Sequence, residues 1–245
     1  MTPDIQYGPA VASVYDDLVA PSVPPATAVE RLRPHVTGKR VLEVGVGTGR
    51  VALPLADIAA EVVGMDNSPE MLQKLRAKGV PPNMTVVEGD FRGPFPVSGR
   101  FEAAYSLMGS LACVETEEEL SQALSRVHDV LEPGATFSME YYFVDSYRRA
   151  VEMHEMTLPQ PDGSSITFTA DIDDGNVLTW DTRLDQGDGK ALEFSERVLM
   201  LEPDRIRTVL HDAGFRVEEV YPVREPEPYI WFLTRCVERE QNTGT

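Results

Sequence analysis

Gly45, Gly47 and Gly49 stand at alternate positions at the end of the apolar run Arg40–Val46 and just after it. Glycine there permits a tight turn and lets a ligand lie against bare backbone. A helix that follows such a turn offers its first N–H groups to a carboxylate or phosphate. A nicotinamide- or flavin-binding turn needs GxGxxG. Here the third glycine falls one place early and Arg50 takes its expected position. The pattern is GxGxG, preceded by an acid, Glu43. A plain βα turn does not need three glycines with their entropic cost, so the spacing points to a bound group.

Two acids extend that reading. Asp66 closes the next apolar run, Glu61–Asp66, 19 residues beyond Gly47. A carboxylate there can accept from both hydroxyls of a ribose; the plainer role, a helix N-cap, has a rival in Ser68. Asp90 and Phe91 follow a third run, Thr85–Glu88. Asp90 suits the exocyclic amine of an adenine and the Phe91 N–H a ring nitrogen, although a polar turn uses the same residues. Met71 is a candidate for one adenine face, against the commoner use of helix methionines as core. The four histidines and two cysteines show no metal-ligand spacing, so no metal is expected. No GxSxG elbow marks a hydrolase. The acidic run Glu115–Glu119 reads as helix capping and dipole pairing.

The elements that must carry these groups alternate. Residues 8–20 and 28–36 read as helical pieces, with Pro9 in a first turn. Strands over Arg40–Val46, Glu61–Asp66, Thr85–Glu88, Phe101–Met108 and Ala135–Phe143 are separated by helical spacing. The helices run over Val51–Ala60, from the Ser68 cap to Lys78, and from the Thr116/Glu119 capping box to Leu131. Such alternation predicts an α/β, doubly wound and mostly parallel sheet. The rhythm then changes. Ser165–Ala170, Val177–Arg183 and Ala191–Leu201 are apolar and β-branched runs split by turn signals, which predicts an inserted antiparallel β-layer. A helix over Asp204–Ala213 and strands over Phe215–Pro222 and Tyr229–Val237 follow. The expected organisation is an N-terminal helical cap at 1–38, a cofactor-binding core at 39–150 and 202–238, and a β-layer at 151–201 that serves as substrate lid or oligomer interface.

Length and composition narrow the class. The 245 residues, 42% hydrophobic and 25% charged, fit one globular domain with an insertion. A net charge of −18 repels phosphate backbones and anionic membranes, so no nucleic acid and no membrane partner is expected. The first residues have no basic segment and no run approaches a bilayer span, so the expected location is cytoplasmic.

Taken together, VLEVGVGTGR, VVGMDNSPEML, VVEGDF, FEAAYSLMGSL and VLEPGATFSME, all within 40–143, resemble the class I S-adenosylmethionine-dependent methyltransferases. The resemblance implies a seven-stranded Rossmann-like sheet and S-adenosylmethionine as cofactor. It places Gly45, Gly47 and Gly49 at the methionine part and Asp66, with Asn67 beside it, at the ribose. Asp90 and Phe91 fall at the adenine, and Leu107–Gly109 against the methyl donor. The start, Tyr7 to Tyr15-Asp16, is similar to the small-molecule N-methyltransferases of bacterial antibiotic pathways, the lincosamide and amino-sugar type. There, two tyrosines spaced like Tyr7 and Tyr15 sit on a cap over donor and acceptor. Ala112 stands where that group carries an aromatic residue, which implies a roomier or differently shaped acceptor pocket.

Methyl transfer from a sulfonium is an in-line displacement with a good leaving group. Alignment alone can contribute about 7–11 kcal/mol. An amine acceptor must also shed a proton, at about 4–5 kcal/mol for a lysine-like amine at pH 7. Candidate catalytic groups are Tyr7, Tyr15, Glu140 and His154, with Tyr15 also reaching the cofactor. The expected function is methyl transfer to a small molecule, nitrogen favoured over oxygen, in a possible homo-oligomer. A small-molecule O-methyltransferase and a non-catalytic cofactor-binding module stand as alternatives.

Overall fold

Three strands of the first half end at or just before a glycine or an acid, so the sheet gathers those residues along one edge. The computed structural model describes residues 8–19, 24–160, 163–185, 190–221 and 229–238. Two N-terminal helices, α1 (Pro9–Val19) and α2 (Ala26–Val36), lead into β1 (Arg40–Val44). After α3 (Ala52–Leu55) come β2 (Glu61–Asp66), α4 (Pro69–Ala77), β3 (Met84–Glu88), β4 (Phe101–Ser106), α5 (Glu117–Asp129) and β5 (Leu131–Tyr142). α6 (Val144–Met153) then leads to β6 (Glu155–Pro159), β7 (Ser165–Ile172), β8 (Val177–Asp185) and β9 (Ala191–Leu199). α7 (Pro203–Asp212), β10 (Phe215–Tyr221) and β11 (Tyr229–Cys236) follow.

The main sheet has seven strands in the order β10-β11-β5-β4-β1-β2-β3. The β1–β2, β1–β4, β2–β3 and β4–β5 pairs are parallel, and β11 runs antiparallel to both neighbours. Strand order reverses direction at β1 and β4, which opens a crevice at their carboxyl ends where such sheets bind ligands. Val41, Leu42 and Val44 of β1 and Phe137, Met139 and Tyr141 of β5 are buried, as strands covered on both faces require.

Local chemistry sets the helix starts. Ser68 accepts from the Met71 N–H at 3.2 Å, with Pro69 in the first turn, and Thr116 accepts from the Glu119 N–H at 3.2 Å. Each cap is worth about 1 kcal/mol. The expected reciprocal bond shifts by one residue, since the Glu119 carboxylate accepts from Glu115 rather than from Thr116.

Three expectations change. The helix over Val51–Ala60 is regular only at Ala52–Leu55, because its end tightens, with the Ile58 N–H bonded to the Leu55 carbonyl. The β-layer has four strands, β6-β7-β8-β9, all antiparallel neighbours. α6 runs across 150/151, where the division between core and layer was expected.

In this second sheet, alternate residues largely separate by polarity, with Thr182 and Glu196 as polar members of the apolar face. One face carries Phe168, Ala170, Leu178, Trp180, Phe194 and Val198, and the other Thr167, Thr169, Asp181, Arg183, Glu193 and Ser195. The apolar face leans on the main sheet. The Tyr141 hydroxyl donates to the Leu199 carbonyl at 2.7 Å and the Tyr142 hydroxyl to Glu196 at 2.7 Å.

Candidate active site

The glycine turn is built for close approach. Gly45, Gly47 and Gly49 all have positive φ, +80°, +52° and +79°. A Cβ on Gly45 would lie 2.5 Å from the Ser110 hydroxyl, whereas one on Gly47 would project into open space. That space is the room a ligand needs beside bare backbone. The Gly47 N–H donates to Asp66 at 2.7 Å and the Ser68 N–H at 2.9 Å, so the Asp66 carboxylate is aimed from both sides. Burial pushes Asp66 up, and N–H bonds from Ser68, Gly47 and Asn67 pull it back. Asn67 also reaches Asp90 with its side chain, so the ends of β2 and β3 are linked. A half-buried carboxylate held at a crevice beside an open glycine turn fits a ribose-bearing cofactor.

Asp90 has a second claimant. Arg92 contacts both of its oxygens, its guanidinium at 2.6 Å from Oδ2 and its N–H at 2.8 Å from Oδ1. Partial burial would raise the Asp90 carboxyl, but Arg92 and Asn67 outweigh it and hold it low. An adenine amine would therefore share Asp90 with Arg92. Phe91 is half-buried against the core, and Leu107 is buried behind the turn after β4. Met71 lies fully buried with Val11 and Ala12, beside Tyr15 and Phe194, where packing accounts for it.

Glu43 is buried beneath the glycine turn and accepts from the Tyr105 hydroxyl at 2.9 Å. Burial pushes its carboxyl up to about 8, opposed by Tyr105 and by the nearby Arg50 cation.

Helix α1 closes this end. The Thr48 hydroxyl donates to Asp16 at 2.6 Å, and the Lys78 ammonium bridges Asp16 at 2.7 Å and the Thr48 carbonyl at 2.9 Å. The latch brings Tyr15 over the crevice, where its hydroxyl meets the Met108 sulfur at 3.8 Å. Burial lifts the Tyr15 hydroxyl far above its ordinary value. Arg50 opposes that lift, and the charges of Glu196, Asp66 and Glu43 add to it. Tyr7 lies outside the described residues.

The turn after β4 is held hard. Met108 and Gly109 both have positive φ, +53° and +71°. Glu140 accepts from the Met108 N–H at 2.8 Å, and a Cβ on Gly109 would sit 2.2 Å from the Tyr142 ring. His154 is not gathered here. It caps the C-terminal end of α6, exposed, and pairs with Asp171 at 3.2 Å. A reach of His154 to the reacting atoms is therefore withdrawn, because the turn of chain that ends α6 carries it to the solvent side.

Three residues at the site carried no assignment from sequence: Asp16, Arg50 as a cation near Tyr15 and Glu43, and Glu196. Alternation on β9 was the signal for Glu196, since Leu192, Phe194, Glu196 and Val198 share one face.

Residues 41–134 match the family model described as "Methyltransferase domain". Cypemycin N-terminal methyltransferase from a Streptomyces species is 27% identical over 229 residues, covering 89% of this chain and 93% of that protein. The dTDP-3-amino-3,4,6-trideoxy-alpha-D-glucopyranose N,N-dimethyltransferase of Streptomyces venezuelae is 25% identical, covering 85% and 84%. The solved structure of the CcbJ methyltransferase from Streptomyces caelestis superposes with a TM-score of 0.84 at 26% identity, covering 95% of this chain and 98% of that one. Residues 41–134, which hold this glycine turn and the paired acids at successive strand ends, thus match a methyltransferase domain, and the chain shares its fold with that solved methyltransferase.

Proposed function

We propose that the protein methylates an amine nitrogen of a small molecule in specialised, antibiotic-type metabolism. The observation that carries this is the closure of the crevice by α1 and the second sheet, which bring Tyr15 and Glu196 to one place. The names of the relatives, an N-terminal methyltransferase of cypemycin and an N,N-dimethyltransferase of a dTDP-linked amino sugar, support a nitrogen acceptor.

Gly45, Gly47 and Gly49 give the cofactor bare backbone, Asp66 with Asn67 takes the ribose, and Asp90, Phe91 and Leu107 border the adenine and donor regions. Arg50 faces the carboxylate of the amino-acid end, and Glu43, once it gives up its proton, the ammonium. When bound, S-adenosylmethionine supplies an electrophilic methyl on a sulfonium. The chain's own part is alignment and exclusion of water. Tyr15 covers the crevice. Glu140, through the Met108 N–H, fixes the turn beneath it and so acts as a positioning group. Tyr7 is the second cap tyrosine in this reading. Residues 1–38 then form a cap and 151–201 a substrate lid or a homo-oligomer interface. Among the described residues no helix is long and apolar enough to cross a membrane. We place the enzyme in the cytoplasm, where the cofactor is available.

The test is turnover with isotope-labelled cofactor against matched amino and hydroxy sugars. Product one or two methyl masses heavier, on the amine series, is the expected result. Methylation confined to the hydroxy series would overturn the nitrogen assignment.

A further inference from the structure

Glu196 is the one acid on the apolar face of β7, β8 and β9, directly between Phe194 and Val198 and paired across the sheet with Trp180. A half-buried carboxylate on such a face costs desolvation and calls for a reason. The Tyr142 hydroxyl donates to it at 2.7 Å. Around it stand aromatic rings in contact. Tyr142 lies 5.1 Å from Tyr147 and 5.2 Å from Tyr229, and Tyr147 lies 5.7 Å from Trp180 in an edge arrangement. Burial is the main cause that raises the Tyr147 and Tyr229 hydroxyls, and the Glu196 charge adds to both, as it does for Tyr15. One carboxylate thus faces several rings from the main sheet, α6 and α1.

Rings with one fixed negative charge are the chemistry that recognises an organic cation, through ring quadrupoles and a charge-assisted hydrogen bond. A neutral hydroxyl can still donate to the carboxylate, but it gains no ring attraction and no ion pair. We infer that Glu196, with Tyr142, Tyr147 and Trp180, forms the box that binds the acceptor's ammonium group and thereby selects amines over alcohols. The inference rests on the amine-methyltransferase reading above and names the residue that would enforce it. Tyr142 is the positioning residue, because its hydroxyl holds the carboxylate and its ring lies flush on Gly109.

The test is an equilibrium titration of the full chain saturated with S-adenosylhomocysteine. The probes are cyclohexylamine, an ammonium at neutral pH, and cyclohexanol, its neutral counterpart. Wild type should prefer the amine by about tenfold or more, the scale of one charge-assisted hydrogen bond. Glu196→Gln keeps the shape and an acceptor for Tyr142. It should erase that preference while leaving S-adenosylhomocysteine affinity and melting temperature unchanged. Glu193→Gln, on the opposite face of the same strand, should keep the preference. A wild type that does not prefer the amine, or a Glu196→Gln variant that still does, overturns the box. Failure to bind S-adenosylhomocysteine would instead strike the cofactor reading. A Glu196-dependent amine preference with turnover only on hydroxy sugars would strike the nitrogen reading and leave the box in place.

Discussion

The Gly47 N–H donates to the Asp66 carboxylate at 2.7 Å, so a side chain joins the turn after β1 to the end of β2 beside the backbone bonds from Gly45 and Val46 to the Met65 carbonyl. Asp66 thus shapes the glycine turn as well as facing the crevice. The two duties separate by substitution. Asp66→Ala should weaken binding of S-adenosylhomocysteine by about 1.5–3 kcal/mol, the scale of a lost charged acceptor. It should also lower the melting temperature, since Gly47 and Ser68 lose their partner. Asp66→Asn keeps one acceptor oxygen and should recover most of the stability but less of the affinity. Calorimetry and thermal melts on the same samples read both, and wild-type affinity in Asp66→Ala would refute the ribose assignment.

Glu43 gives a pH signature. Its folded carboxyl keeps a proton up to about 8, well above its ordinary 4.5, because it is buried. The folded state therefore holds the extra proton between those values. The linked stabilisation is full below about 4.5, declines as pH rises and levels off beyond about 8. Glu43→Gln should flatten this part of the stability–pH curve in denaturant melts. If Glu43 receives the cofactor's ammonium, binding draws its proton off. Affinity for S-adenosylhomocysteine should then rise with pH up to about 8 in wild type and lose that rise in Glu43→Gln. Calorimetry in two buffers of different ionisation enthalpy measures the released proton directly.

Gly109 bears on both the donor turn and Tyr142. Its φ of +71° would strain any other residue, and a Cβ would run into the Tyr142 ring. Gly109→Ala should cost about 1–2 kcal/mol for the left-handed backbone and a further 1–3 kcal/mol, roughly, for overpacking. Gly134→Ala, at φ +81° in open space, should cost the backbone part alone. Equal melting shifts in the two variants would show that the Tyr142 contact is slack.

Tyr15→Phe removes one hydroxyl, its contact with Met108, and leaves the ring. Turnover should fall by about two- to tenfold, as for one neutral hydrogen bond, with an unchanged melting temperature. A loss of rate that only tracks a loss of stability would reduce Tyr15 to an anchor for α1.

The sequence made the donor half legible because its constraints are local. Glycine spacing, an acid at a strand end and a Ser-Pro cap each announce themselves within a few residues, and β2 and α4 fall where expected. The acceptor half depends on register between strands far apart in the chain. Glu196 in isolation is one acid among 40 acidic residues; alternation along β9 gives its face, and its pairing opposite Trp180 shows what that face meets. His154 misled for the opposite reason. A histidine near an expected boundary has two ways to turn, and the turn that ends α6 carries it to Asp171. Asp90 was read without Arg92, two residues away, whose side chain folds back onto it.

The place of β11 also bears on biosynthesis. Tyr229–Cys236 lies inside the main sheet, between β10 and β5, with Arg235 opposite Thr136 and Tyr229 opposite Tyr142. As the chain leaves the ribosome, β5 emerges well before the neighbour that covers its free side. During that interval one edge of β5 offers unpaired N–H and carbonyl groups alongside Phe137, Met139 and Tyr141, the kind of edge on which chains pair wrongly. The cofactor turn and all the parallel strands exist by then, yet the sheet is completed only when its late strand slots into the interior. The nascent protein therefore passes through a stage in which its binding residues are all synthesised and its sheet is still a chaperone's concern.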